Sequence, residues 1–157
     1  MDLFPILLFL HALGAIVAFG PGFAAMVVGP MVAKEPQHAN FYARTQAATG
    51  RKIVMPVTAS MAVTGLAMIA IRGWSNITAG RHWLELGILL YVVTVVYSMA
   101  VQAKAGRRLV ELTSQPPAPG SPPSPELRAT VARVRQGGLV LSGLVVVIAF
   151  LMVAKPF

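Results

Sequence analysis

Four long apolar runs, at about residues 4–33, 53–71, 83–103 and 138–154, limit what this chain can fold into. An α-helix needs ~20 predominantly apolar residues to cross a bilayer, and each run reaches or approaches that length. Backbone polar groups in hydrocarbon must be satisfied within the segment, so such runs cross as helices. The expected architecture is all-α: an integral membrane four-helix bundle forming a single domain over residues 1–157. Composition agrees, because only 11% of the residues are charged, against ~25% in an ordinary soluble domain.

The basic residues orient this bundle. The first loop carries Lys34, Arg44, Arg51 and Lys52, and the third carries Lys104, Arg107, Arg108, Arg128, Arg133 and Arg135. Only Arg72, Arg81 and Lys155 remain for the opposite side. Positive-inside bias then puts loops one and three in the cytoplasm of a bacterial inner membrane, with both termini outside. Met1-Asp2-Leu3 has no basic stretch, which fits an outward N-terminus and argues against a cleaved signal peptide. The net charge of +8 reads as attraction to anionic headgroups rather than to nucleic acid, since the cations flank apolar spans.

The first run is too long for one straight span. Gly20-Pro21-Gly22 interrupts it, and the expectation is one helix kinked there, with Gly14, Gly20 and Gly22 admitting another helix closely. Pro36 opens a short helix over residues 37–49 that lies at the interface or runs on into helix two. Ala59, Ala62 and Gly65 mark the packing face of helix two. Trp74 and Trp83 fall where indoles favour the outer interface. Residues 115–125 hold six of the twelve prolines and are expected to be extended and flexible. Ser124-Pro125-Glu126 has the form of a helix start, with Leu127, Val131 and Val134 on one face.

Chemistry has few places to sit. No cysteine is present, which excludes disulfides, thiolate metal sites and covalent haem attachment. No phosphate loop, nucleophile elbow, HExxH motif or catalytic carboxylate pair can be read. The methionines are scattered and read as core packing. Ionisable groups inside spans are costly and usually have a reason to be there. His11, two turns into helix one, and Glu85, in the first turn of helix three, fall toward the same outer face, where they can approach each other. Arg72, Arg81 and His82 are near. His11 suits an axial ligand to b-type haem, or a ligand to another metal. Its plainer role is a hydrogen bond to Glu85 or a backbone carbonyl that ties two helices. Glu85 either orients and compensates charge at such a centre, or meets headgroups and Arg81. His82 is interfacial or a second ligand, and His38 is a solvated loop residue.

These features, in this order, carry a resemblance. Leu10-His11-Ala12-Leu13-Gly14, Met55-Pro56, Thr64-Gly65-Leu66, Trp83-Leu84, the basic stretch 104–108 and the close at 151–156 resemble a family of small bacterial four-helix integral membrane proteins with a domain of unknown function. The likeness covers nearly the whole chain. That family is distantly similar to HemJ-type protoporphyrinogen oxidases and to the membrane domain of CopD copper-resistance proteins. The resemblance implies four spans and b-type haem at His11. HemJ-type enzymes pair that histidine with a lysine in helix three, and here the matching position is about Gly87. The aromatic residue expected after the histidine is also missing, near Ala18. Both departures argue against a working protoporphyrinogen oxidase. Three roles stay open: a haem- or metal-binding redox protein, a non-enzymatic accessory or structural subunit of a larger membrane complex, and, last, a small-solute transporter; the partners expected are other membrane proteins or further copies of this chain in a homo-oligomer.

Overall fold

The structure is a computed structural model that describes residues 2–79, 82–115 and 122–156. Four helices run up and down: α1 Phe4–Lys34, α2 Pro36–Arg72, α3 Trp83–Thr113 and α4 Pro125–Ala154. Each is long and apolar enough to cross a membrane. A short helix, Trp74–Thr78, joins α2 to α3. One end of the bundle therefore holds Asp2, the α2–α3 connection and Lys155. The other holds the α1–α2 turn, the end of α3 and the start of α4. We call these the termini end and the loop end.

α1 packs on the later half of α2, α3 packs on α4, the early half of α2 packs on the far half of α3, and α1 touches α4. The helices thus close a ring in chain order. The buried apolar positions are mostly small or slender: Ala18, Ala43, Met61, Leu84, Ala105, Val145 and Leu151. Large apolar side chains such as Ile16, Val27, Val63, Leu66 and Val153 face outward. In water that distribution would expose far more apolar surface than a monomer carries. In lipid it is the expected one, because association there depends on close backbone approach and interhelical hydrogen bonds.

The helices run well past the apolar runs. A helix outside the bilayer needs no apolar residues, only compatible propensity, so α3 continues through Lys104, Arg107 and Arg108 to Thr113. α2 begins 17 residues before its apolar run, at Pro36, and so includes the short helix expected over residues 37–49. Within α2 a π-turn at Gly50–Val54 joins α-helix Ala39–Thr49 to α-helix Met55–Arg72. Pro56 supplies a reason, since it cannot donate to the carbonyl of Lys52 and its ring crowds that carbonyl. A second π-turn, Ser98–Gln102, interrupts α3. Asn40 Nδ2 donates to Val110 O at 3.1 Å, and Tyr91 OH donates to Thr58 O at 2.7 Å. These two bonds bracket both π-turns, so the turns lie at a similar level in neighbouring helices.

As expected, α1 is a single helix, and it passes through Gly20-Pro21-Gly22 and Pro30 without a break. Several finer expectations change. Gly14 meets Met61 and Gly22 faces Ser142, but Gly20 faces open space. The packing face of α2 runs through Met61, Thr64 and Gly65, whereas Ala59 is exposed. On α4 it runs through Thr130 and Gly137, with Val131 exposed. Trp83 is buried, with the Lys155 ammonium 5.3 Å from its ring centroid, while Trp74 keeps the exposed interfacial position. Most of the proline-rich stretch lies outside the described residues.

The ends are set by specific residues. α2 stops at Gly73, whose φ of 77° favours glycine. α4 starts as expected: the Ser124 side chain accepts from Leu127 N–H at 3.1 Å, with Pro125 and Glu126 in the first turn. Ser124→Ala is expected to lower unfolding stability by about 1 kcal/mol. Thermal melts in detergent check this, and Ser124→Asp should be nearly silent.

Candidate functional site

Among the described residues, His11 is the one His, Asp, Glu, Lys or Arg side chain set well inside an apolar span and facing another helix. It lies about two turns into α1, level with a point about two turns from the end of α2. Its Nδ1 is 3.0 Å from Met61 O and 3.1 Å from Thr64 Oγ1. A carbonyl only accepts, so the short contact to Met61 requires Nδ1 to carry the proton. Thr64 agrees, because its hydroxyl proton is already directed to Ser60 O and Met61 O, at 3.0 and 3.1 Å. Its lone pairs are thus open to the imidazole N–H. The proton on Nδ1 leaves the lone pair on Nε2, which has no partner among the described residues. Gly65 makes the seat for the ring: a Cβ there would lie 3.4 Å from His11 Cε1 and 3.7 Å from Nδ1.

The other sequence candidates lie elsewhere. His82 Nδ1 and Glu85 Oε2 are 2.9 Å apart on the first turn of α3, both exposed. Arg72 is engaged by Asp2 at 2.7 Å and stands over the Phe4 ring at 4.7 Å. Arg81 lies outside the described residues. His11 and Glu85 therefore belong to separate hydrogen-bonded groups, although they occupy the same end of the bundle. Of the two tying roles read for His11, the structure contains the backbone-carbonyl one. His38 is exposed beside Glu35 at 3.6 Å. No cluster of three His, Asp or Glu residues suited to a metal occurs among the described residues.

The residues that hold the bundle together were harder to find from sequence. Asn40 also reaches Thr113 Oγ1 at 3.2 Å, so one amide ties the loop-end halves of α2 and α3. Gln102 Nε2 donates to Val134 O at 2.9 Å, tying α3 to α4. Gln102 was the signal available, a lone amide near the end of an apolar run.

A family model with the description "Predicted integral membrane protein (DUF2269)" matches residues 5–156. The chain belongs to this family. No curated protein and no solved structure matches it. Every residue of the His11 site lies inside the matched span. The DUF2269 protein is thus a multi-pass integral membrane protein with four candidate spans.

Proposed function

We propose that this DUF2269 protein holds b-type haem, or a related metal centre, through His11 Nε2 and serves a redox role in the membrane. One observation carries this reading: the imidazole is fixed by its Nδ1–H to Met61 O and Thr64 Oγ1, with Nε2 unpartnered among the described residues. Metal-bound histidines almost always donate their second ring nitrogen to a carbonyl, carboxylate or water, which sets the tautomer and the ring plane. The donor chemistry at His11 would fit one protein ligand to such a group. Haem bound there would supply one-electron exchange at iron. The chain's part is to fix the imidazole tautomer, aim the ring from Gly65 and keep the position dry within the span. Glu85 and His82, paired with each other, would lie at the same end of the bundle as a charge-compensating pair, and a second ligand could come from His82 only after that pair opens.

Absorption spectroscopy of protein produced with ample haem tests the reading. A Soret band is expected, and His11→Ala should lose it while keeping its helical circular dichroism. Absence of the band in the unmodified protein, or its survival in His11→Ala, sinks the proposal.

The same reading includes an orientation. The loop end gathers ten of the thirteen Lys and Arg residues, so we infer that it faces the cytoplasm. The chain has no cysteine, which makes labelling direct. Ser75→Cys in intact cells should react with an impermeant maleimide, and Ser114→Cys should react only after lysis. The reverse pattern inverts the topology.

A second role, as a subunit of a larger membrane complex, is favoured by Gly20 and Gly143, where an added Cβ would meet no atom within 4 Å. Bare small residues on spans are where partner helices approach. Sizing after mild solubilisation decides it, and a stable lone monomer with no co-purifying partner counts against it.

A further inference from the structure

The loop end contains a cleft between α3 and α4 that the His11 site does not use. It has a volume of about 360 Å³ and is lined by Ala100, Val101, Lys104, Arg108, Thr130 and Arg133, with Ala105 behind. That volume is in the range of small-ligand sites. Three features set it apart from ordinary surface charge. Ala100 and Val101 belong to the π-turn of α3, and such turns occur frequently at functional sites. Thr130 is more than nine-tenths buried, which places a hydroxyl-bearing side chain in the wall. Lys104 and Arg133 have no carboxylate partner among the described residues, while Arg108 is held by Glu111 at 2.8 Å and Glu126 at 2.6 Å. Arg108 therefore already has two carboxylates beside it, and the charge with no carboxylate partner among the described residues comes from Lys104 and Arg133.

The depth of the cleft selects its ligand. Ala100 and Val101 are within the apolar run of α3, and Lys104 is the first charge beyond it. The cleft therefore straddles the boundary where hydrocarbon gives way to headgroups. Below it, Val96, Leu139 and Val140 face outward as apolar surface that acyl chains can cover. We propose that this cleft is a discrete site for an anionic membrane phospholipid, its phosphate diester between Lys104 and Arg133 and its chains along α3 and α4. Basic pockets between transmembrane helices are suited to such headgroups. The site is independent of any cofactor at His11.

The test uses the full chain, delipidated in neutral detergent, with native mass spectrometry counting retained lipid. The probes are a short-chain phosphatidylglycerol, phosphatidylcholine with the same chains, and inorganic phosphate. One phosphatidylglycerol per chain is expected, with phosphatidylcholine at least tenfold weaker and phosphate unable to displace the lipid. Lys104→Gln with Arg133→Gln should weaken phosphatidylglycerol roughly 25-fold, about fivefold for each cation removed. The charge-matched pair Arg44→Gln with Arg51→Gln should stay within twofold. Lys104→Arg with Arg133→Lys keeps both charges and should retain most of the binding. All six substitutions fall on exposed side chains, and melts without lipid check that each variant folds. Equal weakening by both Gln pairs would reduce the effect to diffuse charge and overturn the proposal. So would equal binding of phosphatidylcholine, or inorganic phosphate binding as tightly as the lipid, which would make this a soluble-phosphate site.

Discussion

Gly137→Val should destabilise the bundle more than any other single methyl-bearing change at the loop end, by about 2–3 kcal/mol. A Cβ at Gly137 would overlap Gln102 Oε1 and lie 3.2 Å from both Gln102 Cδ and Tyr97 OH. α3 and α4 meet there with no spare room. Gln102 could swing away, but its amide would then lose Val134 O in an apolar setting. Gln102 Oε1 is already buried without a partner among the described residues, so the bond from Nε2 to Val134 O is what holds the amide at this seam. The prediction has an internal check. Gln102→Ala should cost stability in the unmodified chain yet recover much of the loss in Gly137→Val. That non-additivity, measured by thermal or denaturant unfolding in one detergent, is what direct contact requires. Additive losses would place the two residues apart.

Gly65→Val should have the second large effect, and its readout is separate. A Cβ alone would already be in van der Waals contact with His11 Cε1 and Nδ1, at 3.4 and 3.7 Å, so the γ-methyl groups that valine adds beyond it are expected to crowd the ring. The ring would have to leave Met61 O and Thr64 Oγ1. Interhelical hydrogen bonds of this kind contribute about 1 kcal/mol within membranes, and the steric conflict adds to that. A loss of about 2 kcal/mol in unfolding stability is expected. If His11 holds haem, the Soret band should vanish in Gly65→Val although the histidine is intact. Thr64→Val is the milder companion. It removes one acceptor and leaves Met61 O, so the band should persist with a shifted position or weakened retention. A Gly65→Val protein with unchanged stability and unchanged spectrum would mean that the ring does not rest on Gly65.

Fold class was legible because hydrocarbon thickness sets a length that residues 4–33, 53–71, 83–103 and 138–154 meet. The start of α4 was legible too, since Ser124, Pro125 and Glu126 act through local backbone chemistry. Helix ends beyond the membrane were not. Hydropathy reports where lipid is, and Arg51, Lys52 and Lys104 end an apolar run without ending a helix. The His11 and Glu85 pairing failed for a different reason. Loop charge places residues at an end of the bundle, but each residue turns the face by roughly 100°, so sharing an end says nothing of sharing a face. The true neighbours of His11, Thr64 and Gly65, stood in the sequence as a hydroxyl beside a glycine. Nothing local identified them as the histidine's seat, because the contact joins residues about 50 positions apart. Asn40 was hidden likewise, its partners being 70 and 73 positions away.

The paired π-turns have a consequence for how this molecule tolerates length changes. A π-turn accommodates an extra residue without breaking the helix, and one residue is worth roughly 100° of rotation. Deleting a single residue from Gly50–Val54 would let α2 wind through as plain α-helix, with Asn40 still close to the face that meets Val110 and Thr113. Deleting one from Ser98–Gln102 should be absorbed in the same way on the neighbouring helix. A one-residue deletion elsewhere in either helix has no such slack and would rotate one half against the other by roughly 100°. The two π-turns thus mark the points where the chain can shorten by one residue while the basic end stays aimed as it is.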